Sequence, residues 1–344
     1  MMRHSGSLTA GVALAAISTG VLPQAPATYR VTPDTFWNTL DHRHAVVQRI
    51  KPGDIVITKM LDASGYDDHD VHRAASSNPM VGPFSVEGAE PGDALVVHFR
   101  RVRLNRATGW SYYRLGTFAL LPDAVEKLYP NVYKPDFVRP GRANLLIWDL
   151  DLSGHLAKLR EPRSAVSRME FPTEPMIGVV GVAPAGDFAP TSGPSSAYGG
   201  NMDFNEIREG ATLFLPVYHP GALLFMGDGH ALMADGEPTG AGIETSMDVE
   251  FSTELRKKAG LTNPRVENAN YVISIGSQQE FVSTLDYALK VATTDMVRWL
   301  TEDYKLEPWA AHLTINAVGE YEVVTVAGSM ALKVPKRYLP ARSP

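Results

Sequence analysis

A Pro-Gly-Asp turn followed at once by a β-rich run is the feature that most constrains how this chain can fold. It occurs in KPGDIVITK at residues 51–59 and in EPGDALVVHF at residues 90–99, and REGATLFLPV at residues 208–217 is a looser third copy. Proline presets the turn, glycine supplies positive φ, and the β-branched and aromatic residues that follow suit a half-buried strand. Similar runs between turn signals lie at residues 144–152, 176–184, 270–276 and 321–328. The pattern predicts a chain made mostly of strands.

Helical periodicity is confined to the C-terminal part of the chain. Over residues 280–304 an apolar stripe at helical spacing comprises Phe281, Leu285, Ala288, Leu289, Ala292, Met296, Trp299 and Leu300. Ser283 and Asp303 fall near the ends of this segment, and a shorter helix is expected over residues 308–318. Regular strand–helix alternation and glycine-rich nucleotide-binding motifs are both missing from the sequence. We therefore predict an α+β, mainly β fold, with an antiparallel β-sandwich or barrel-like core and a helical C-terminal layer.

The composition excludes several functional classes. The 344 residues include no cysteine, which removes thiol nucleophiles, thiolate zinc sites and disulfides. The formal net charge of -6 comes from acidic and basic residues mixed along the chain, without the basic stripe that tracks a phosphate backbone. Nucleic acid is therefore not an expected partner. With 44% hydrophobic residues the chain can bury a large core, and any metal ion must be held by histidine and carboxylate groups.

The first 27 residues are typical of an export signal. A weakly positive start, MMRHSGS, precedes the apolar run LTAGVALAAISTGVL, and an Ala-Pro-Ala sequence ends at Ala27. The apolar run is short for a membrane-spanning helix, and no later segment has the uninterrupted apolar length that a span requires. We expect a signal peptide over residues 1–27 and a protein exported to the periplasm or secreted, without a membrane-embedded part.

The segment GDGHALMADGE at residues 227–237 concentrates ionisable groups behind an apolar run. Asp228 and His230 are two residues apart, as are Asp235 and Glu237, so in extended backbone each pair projects to one side. The flanking glycines permit tight turns and close approach of the backbone to a bound group. One histidine with several carboxylates can hold Zn²⁺, Mg²⁺ or Ca²⁺ and leave a carboxylate over as a base. The alternative interpretation is an acidic turn with an ordinary structural histidine.

Two further polar segments are relevant to a metal site. YGGNMD at residues 198–203 adds Asn201 and Asp203 behind paired glycines, at the end of a Gly/Pro-rich stretch that we expect to form a functional loop. DDHDVH at residues 67–72 also mixes acidic residues with histidine. Polar loops collect such residues, so we interpret this second segment as a solvated surface, with a contribution to a metal shell left open.

Several of these segments together resemble the acetamidase/formamidase family. They are GPFSVEGAEPGDALVV at residues 82–97, IGVVGVAPA at 177–185, GGNMD at 199–203, and EGATLFLPVYHPGALLFMGDGHALMADGEPTGAGIET at 209–245. The resemblance implies a β-rich amide hydrolase that binds metal in some members and assembles into homo-oligomers. It makes residues 28–344 one acetamidase/formamidase-like catalytic unit, with two intertwined β-rich subdomains left open. One departure is Tyr198, because relatives often carry histidine there.

The resemblance and the residue chemistry together give a mechanistic hypothesis. Asp203, Asp228 and His230 hold a divalent cation, for which Zn²⁺ is favoured over Ca²⁺ or Mg²⁺. Glu237 or Asp235 removes a proton from water and returns it to the departing nitrogen, and Asn201 donates to the developing oxyanion.

The expected reaction is hydrolysis of small aliphatic linear amides, such as formamide or acetamide, to ammonia and a carboxylate. The alternative is a non-catalytic, exported, metal-stabilised β-sandwich binding module. It would use the same carboxylates without a general base.

Overall fold

The structure is a computed structural model that describes residues 1–2, 25–112, 119–128, 145–161, 166–277 and 284–342. Residues 3–24 of the predicted signal peptide lie outside the described residues, as do Phe281 and Ser283 of the predicted helical segment. In chain order, the strands are β1 Thr28–Val31, β2 Gln48–Ile50, β3 Ile55–Met60, β4 Met80–Val86, β5 Ala94–Leu104, β6 Thr108–Tyr112, β7 Leu145–Asp151, β8 Leu156–Leu159, β9 Glu170–Pro172, β10 Met176–Val182, β11 Ser195–Ser196, β12 Gly199–Asn201, β13 Thr212–Pro216, β14 Leu224–His230, β15 Glu244–Thr245, β16 Met247–Arg256, β17 Arg265–Glu267, β18 Tyr271–Gly276, β19 Glu320–Thr325 and β20 Ser329–Pro335. The helices are α1 Pro122–Leu128, α2 Leu285–Tyr304 and α3 Pro308–Val318, followed by a short 3-10 helix, Lys336–Tyr338.

The strands form two large sheets. The first sheet has nine strands in the order β1-β3-β16-β5-β13-β17-β18-β20-β19. The second has eleven, in the order β11-β12-β10-β14-β15-β6-β7-β8-β9, with β4 pairing to β14 and to β2. Strand pairing is antiparallel except for β1 with β3 and β2 with β4. Each of the seven β-rich runs in the sequence contains a strand, so the prediction of a mainly β, antiparallel fold is confirmed.

The two sheets share the largest hydrophobic core. Phe84 on β4 of the second sheet meets Phe251 on β16 of the first sheet, with ring centroids 5.2 Å apart in an edge-to-face arrangement. Both rings are fully buried, and each such side chain contributes about 1.5–3 kcal/mol through removal of apolar surface from water. Strands β10 and β14 are buried along their whole length. Any polar side chain on these strands is therefore kept away from bulk water.

The C-terminal helices cover the other face of the first sheet. Apolar residues of α2 and α3, including Trp299 and Ile315, pack against strand residues such as Phe214 and Leu332. The helix approaches β18 closely at Gly276, where an added methyl group would lie 1.9 Å from the carbonyl oxygen of Ala288. Among the described residues, no helix is both long and apolar enough to cross a membrane.

The bounds of α2 and α3 agree with the sequence prediction, but the residues that α2 buries differ from the predicted apolar stripe. Helix α3 spans the predicted residues 308–318, and α2 lies within the predicted 280–304. Leu289, predicted to be part of the apolar stripe, is instead exposed, whereas Asp295 lies on the buried face. Asp295 is tolerated there because the guanidinium of Arg265 neutralises it with two hydrogen bonds of 2.8 and 2.9 Å.

Candidate metal centre

Strand β14 places Asp228 and His230 in the middle of the second sheet. It pairs with β10 on one edge, and its last two residues pair with β15. Because side chains alternate along a strand, residues two apart tend to share a face. Asp228 departs from regular strand geometry with φ of 61°, a conformation that is uncommon outside glycine and that recurs at ligand sites. The structure therefore brings together the two ionisable residues of the GDGH motif.

Two more carboxylates reach the same place from other strands. Asp203 follows β12, where the backbone N–H groups of Met202 and Asp203 both donate to the carbonyl oxygen of Gly178, at 3.0 and 3.1 Å. Glu244 on β15 is the direct cross-strand partner of His230. We call Asp203, Asp228, His230 and Glu244 the acidic cluster. All four are buried, with 1–3% of their surface exposed.

The ligand atoms of the acidic cluster lie within coordination range of one another. Single ligand atoms from Asp203, Asp228 and His230 all lie within 4.8 Å of each other. His230 Nε2 is 2.9 Å from Glu244 Oε1 and 3.6 Å from Asp228 Oδ1. Its other ring nitrogen, Nδ1, is 2.9 Å from the sulfur of Met176.

Each member of the acidic cluster also has an atom without a hydrogen-bond partner. These atoms are Asp203 Oδ1, Asp228 Oδ1, His230 Nε2 and Glu244 Oε2. A buried polar atom left unpaired costs about 1–3 kcal/mol, so four in one place indicate a ligand site rather than a defect.

Burial and mutual repulsion disturb the titration of the three carboxyl groups. Desolvation, followed by the charge of Asp228, raises the pKa of Asp203 to about 7. Desolvation also raises the pKa of Asp228 and of Glu244 well above their ordinary values, and neighbouring carboxylates add to both shifts. Taking three carboxylates out of water is costly unless a cation neutralises them. The donor set and its charge therefore fit a bound divalent cation.

Gly178 on β10 leaves the space that the carboxylates need. A methyl group added at this glycine would lie 2.5 Å from Asp203 Oδ1 and 2.7 Å from Asp228 Oδ2. Both distances are shorter than any normal contact, so only glycine allows the two carboxylates to converge here. The backbone of β10 thus forms one wall of the candidate centre.

Glu237 approaches the acidic cluster from the turn that follows β14. One of its carboxylate oxygens lies within 4.8 Å of ligand atoms of both His230 and Glu244. Glu237 has φ of 44° and is only partly buried, so it lies closer to solvent than the four members of the cluster. The β19–β20 hairpin holds this turn, because Gly236 N–H donates to Val324 O and Val326 N–H donates to Gly236 O.

Asp235 and Asn201 occupy different surroundings. Asp235 is exposed, and its Oδ1 accepts a hydrogen bond of 2.5 Å from the Asn205 amide. It is not among the residues whose ligand atoms meet at the centre.

Asn201 lies two residues before Asp203, and its Oδ1 accepts a 3.1 Å hydrogen bond from Asn78 Nδ2. This bond orients the Asn201 amide so that its nitrogen remains available as a donor.

Tyr198, at the position where the resemblance led us to expect histidine, is buried on the same segment. Its hydroxyl has no hydrogen-bond partner among the described residues, and burial raises its pKa. The phenol therefore stays protonated near neutral pH and does not act as an anionic ligand.

The second polar segment, at residues 67–72, differs from the acidic cluster. Asp67, Asp68 and His69 also lie within 4.8 Å of one another, but they are not fully buried. Asp67 accepts hydrogen bonds from the backbone N–H of His69 and Val71 and from Arg73. Asp68 forms an ion pair with Lys59. Because these carboxylates have partners within the protein, the solvated-surface interpretation accounts for them.

Glu244 is the residue of the cluster that sequence reasoning missed. It lies in GAGIET, within a segment already noted for its resemblance, but it is separated from His230 by a turn. A glutamate inside a short apolar run was the available signal, because a buried carboxylate needs a partner.

Comparisons with known proteins point to one family. The profile of the Acetamidase/Formamidase family matches residues 187–307, a range that includes all of the acidic cluster and Glu237. The formamidase of Methylophilus methylotrophus is 27% identical over 267 residues, which cover 64% of this chain and 64% of that protein. The acetamidase of Mycolicibacterium smegmatis is 29% identical over 223 residues, covering 53% of this chain and 54% of that one. The alignments with these curated relatives thus span about half to two thirds of their length.

A solved structure extends the similarity to nearly the whole fold. The acetamidase of Bacillus halodurans superposes with a TM-score of 0.73 at 25% identity, covering 90% of this chain and 98% of that one. The profile, the relatives and the shared fold point to the same family: over most of its length the chain is similar to acetamidases and formamidases.

Proposed function

We propose that this chain is a metal-dependent amidase that hydrolyses the C–N bond of small aliphatic linear amides, such as formamide or acetamide, to ammonia and a carboxylate. The observation that carries the proposal is the group of four unpaired, buried ligand atoms in the acidic cluster. Its similarity to a formamidase and to acetamidases supports the choice of substrate.

Asp203, Asp228 and His230 would hold the cation, with Glu244 as a further oxygen donor. A set of one imidazole and several carboxylates favours Zn²⁺, with Ca²⁺ or Mg²⁺ as alternatives of harder character. When bound, such a cation supplies Lewis acidity, which polarises an amide carbonyl and makes water more acidic. The chain itself contributes a dry, preorganised wall that fixes the positions of these donors.

Glu237 is our candidate for the general base. It reaches the centre from a partly exposed turn, so its carboxylate can accept a proton from a water molecule that attacks the amide carbon. It then returns that proton to the nitrogen as the C–N bond breaks, because the nitrogen leaves readily only as neutral ammonia and not as the amide anion. Asp235 satisfies the same sequence pattern, but its carboxylate is exposed and is not among the ligand atoms that meet at the centre, so we assign the role to Glu237.

Asn201 is our candidate for stabilising the oxyanion. The hydrogen bond from Asn78 occupies its carbonyl oxygen, which leaves the Asn201 amide nitrogen to donate to the developing negative charge. A donor of this kind contributes roughly 3–4 kcal/mol to transition-state stabilisation in enzymes from which it has been removed.

The test is ammonia release from formamide, acetamide and propionamide by the purified protein, with the metal content measured in parallel. We expect turnover that Glu237→Gln lowers by about 10²–10⁴-fold in kcat while the bound metal is retained. Asp235→Asn is the matched control, because it makes the same change two residues away.

Equal activity of Glu237→Gln and the unmodified protein would remove Glu237 from the mechanism. A different result, no turnover of any amide with metal bound and loss of stability on chelation, would favour the non-catalytic binding module.

Export and homo-oligomer formation belong to the proposal as well. The sequence of residues 1–27 supports export, and residues 28–31 form the edge strand β1 immediately after the expected cleavage point. Mass spectrometry of protein recovered from the exported fraction should find a mature chain that begins at Thr28. A chain that retains residues 1–27 in that fraction would contradict processing at this site.

A further inference from the structure

A cavity of about 340 Å³ lies between helix α2 and the first sheet. We call it the α2 cavity; its lining includes Phe214 of β13, Arg256 of β16, Arg265 of β17, and Trp299 and Asp303 of α2. The acidic cluster is built from the second sheet, on the other side of the first sheet. We propose that the α2 cavity binds a small monocarboxylate that carries an apolar group. The proposal does not depend on metal binding or on amide hydrolysis.

Arg265 brings buried and oriented hydrogen-bond donors to the cavity. Its Nε and Nη2 donate to Asp295, at 2.8 and 2.9 Å, and its guanidinium lies over the Trp299 ring, 4.9 Å from the centroid. These contacts fix the guanidinium and leave Nη1 without a hydrogen-bond partner among the described residues. Arg265 is only 6% exposed, but Nη1 is not among the side-chain atoms that are both unpaired and sealed from solvent. Its N–H groups are therefore open to a ligand in the cavity.

Arg256 offers the edge of a guanidinium that suits a carboxylate. Its Nη1 donates to Asp303 Oδ2 at 3.0 Å, and its guanidinium lies over the Phe214 ring, 4.9 Å from the centroid. The Nε–Nη2 edge is left without a hydrogen-bond partner among the described residues. Two parallel N–H groups along such an edge match the two oxygens of a carboxylate. Stacking on the ring holds the group in place before a ligand arrives.

The charges around the cavity favour a single negative charge on the ligand. The lining carries three cationic and two acidic side chains, which are Arg256, Lys257, Arg265, Glu302 and Asp303. The excess of one positive charge attracts a monoanion. The two acidic groups repel a dianion such as sulfate more strongly than they repel a monoanion.

The apolar part of the lining favours a ligand with a carbon body. Ala94 and Phe214 contribute from the sheet, Trp299 from α2, and Leu261 from the segment between β16 and β17. An apolar group attached to the carboxylate is removed from water when it lies against these side chains. The lining therefore combines fixed guanidinium donors with apolar surface, as a small organic acid requires.

The first experiment measures binding of benzoate to the full chain by calorimetry, after metal has been removed by a chelator. Without metal, no cation in the acidic cluster can capture the carboxylate. Benzyl alcohol keeps the ring without the charge, and sulfate keeps a negative charge without the ring. We expect benzoate to bind, and both of the other probes to bind about 10-fold more weakly or worse.

The second experiment compares Arg256→Gln with Arg298→Gln. Arg298 is the matched control, because its Nη1 also donates a single hydrogen bond of 3.0 Å, to Thr262 Oγ1, and it does not line the cavity. We expect Arg256→Gln to weaken benzoate binding by about 10–100-fold and Arg298→Gln to change it little.

The third experiment locates the ligand. In crystals grown with 4-bromobenzoate, the anomalous signal of bromine should lie in the α2 cavity, with the carboxylate against Arg256. A bromine signal elsewhere, equal benzoate affinity of the two variants, or binding of sulfate or benzyl alcohol as tight as that of benzoate would overturn the inference. If Arg256→Gln does not fold, the bromine position in the unmodified protein still decides. None of these readouts uses amide turnover, so failure of the proposed reaction would be recognised separately.

Discussion

Two groups of buried charges in this protein show opposite solutions to the same problem. Asp295 on α2 accepts two hydrogen bonds from Arg265 and a third, of 2.9 Å, from Ser274 Oγ. The Arg265 guanidinium also lies over the Trp299 ring, 4.9 Å from its centroid. Asp295 therefore finds its countercharge and all of its partners within the protein.

The acidic cluster does the reverse. It gathers three carboxyl groups around one histidine, buries them as deeply as Asp295, and leaves an atom of each residue unpaired. The Arg265–Asp295 pair is neutralised within the protein and contributes to the packing of the helix on the sheet. The acidic cluster instead depends on a ligand that is not part of the chain. Whether a buried charge has its partners within the protein therefore distinguishes a structural charge from a functional one more clearly than burial alone.

The largest expected effect comes from breaking the self-neutralised pair. Arg265→Met leaves Asp295 buried and uncompensated, so the free energy of unfolding should fall by about 3–5 kcal/mol. Urea denaturation followed by circular dichroism measures the change. In the double variant Arg265→Met/Asp295→Leu most of the loss should be regained, because no isolated charge remains. A loss below about 1 kcal/mol for the single variant would mean that the pair is not the isolated buried charge described here.

An intermediate effect should follow from removing the metal and raising the pH. Because burial raises the pKa of Asp203 to about 7 from its ordinary value near 4, the folded metal-free protein binds more protons than the unfolded chain between those values. Its stability is therefore greatest at the acidic end of this window and falls as pH rises through 7, by up to about 1.4 kcal/mol per pH unit for each proton.

Thermal denaturation at pH 5, 6, 7 and 8, with chelator or with added Zn²⁺, tests this expectation. The metal should restore stability most at pH 8, since it replaces the missing protons. A metal-free protein whose stability rises over the same range would contradict the assignment of these carboxyl groups as buried and unpaired.

The smallest expected effect is that of Asp228→Asn on the metal-free protein. Because burial raises the pKa of Asp228 well above its ordinary value, the metal-free fold favours the uncharged carboxyl group, and an amide of the same shape should change stability by less than about 1 kcal/mol. The same substitution should abolish the stabilisation by Zn²⁺. Asp295→Asn is the matched control, since it should destabilise the protein whether or not metal is present.

Parts of this architecture could be predicted from local sequence. The β-rich runs after Pro-Gly-Asp turns became strands because β-branched residues suit a half-buried pleated surface wherever they occur. The predicted stripe of α2 failed at Leu289 and at Asp295, because the position of a charge on a buried face depends on Arg265, thirty residues earlier in the chain. The spacing of apolar residues along α2 does not show that Arg265, from a distant part of the chain, will neutralise Asp295.

The residues of the candidate site also fall into two groups, those that the sequence could identify and those that only the fold brings to the centre. GDGH and GGNMD could be identified as candidate ligands from residue types and spacing alone, since both motifs are contiguous. Glu244 could not, because the register of β15 against β14, and not its distance along the chain, places it opposite His230. The sequence also offers Asp235 and Glu237 as equivalent acids, and only the turn held by the β19–β20 hairpin brings Glu237 to the centre.

By itself, the sequence determined seven of the strands, the two C-terminal helices, the absence of thiol chemistry and a short list of acidic ligands, because these follow from local conformation and residue chemistry. The tertiary structure decided which acids converge, which are neutralised within the protein and which keep an unpaired atom. Those outcomes depend on strand register and on buried countercharges brought from distant parts of the chain.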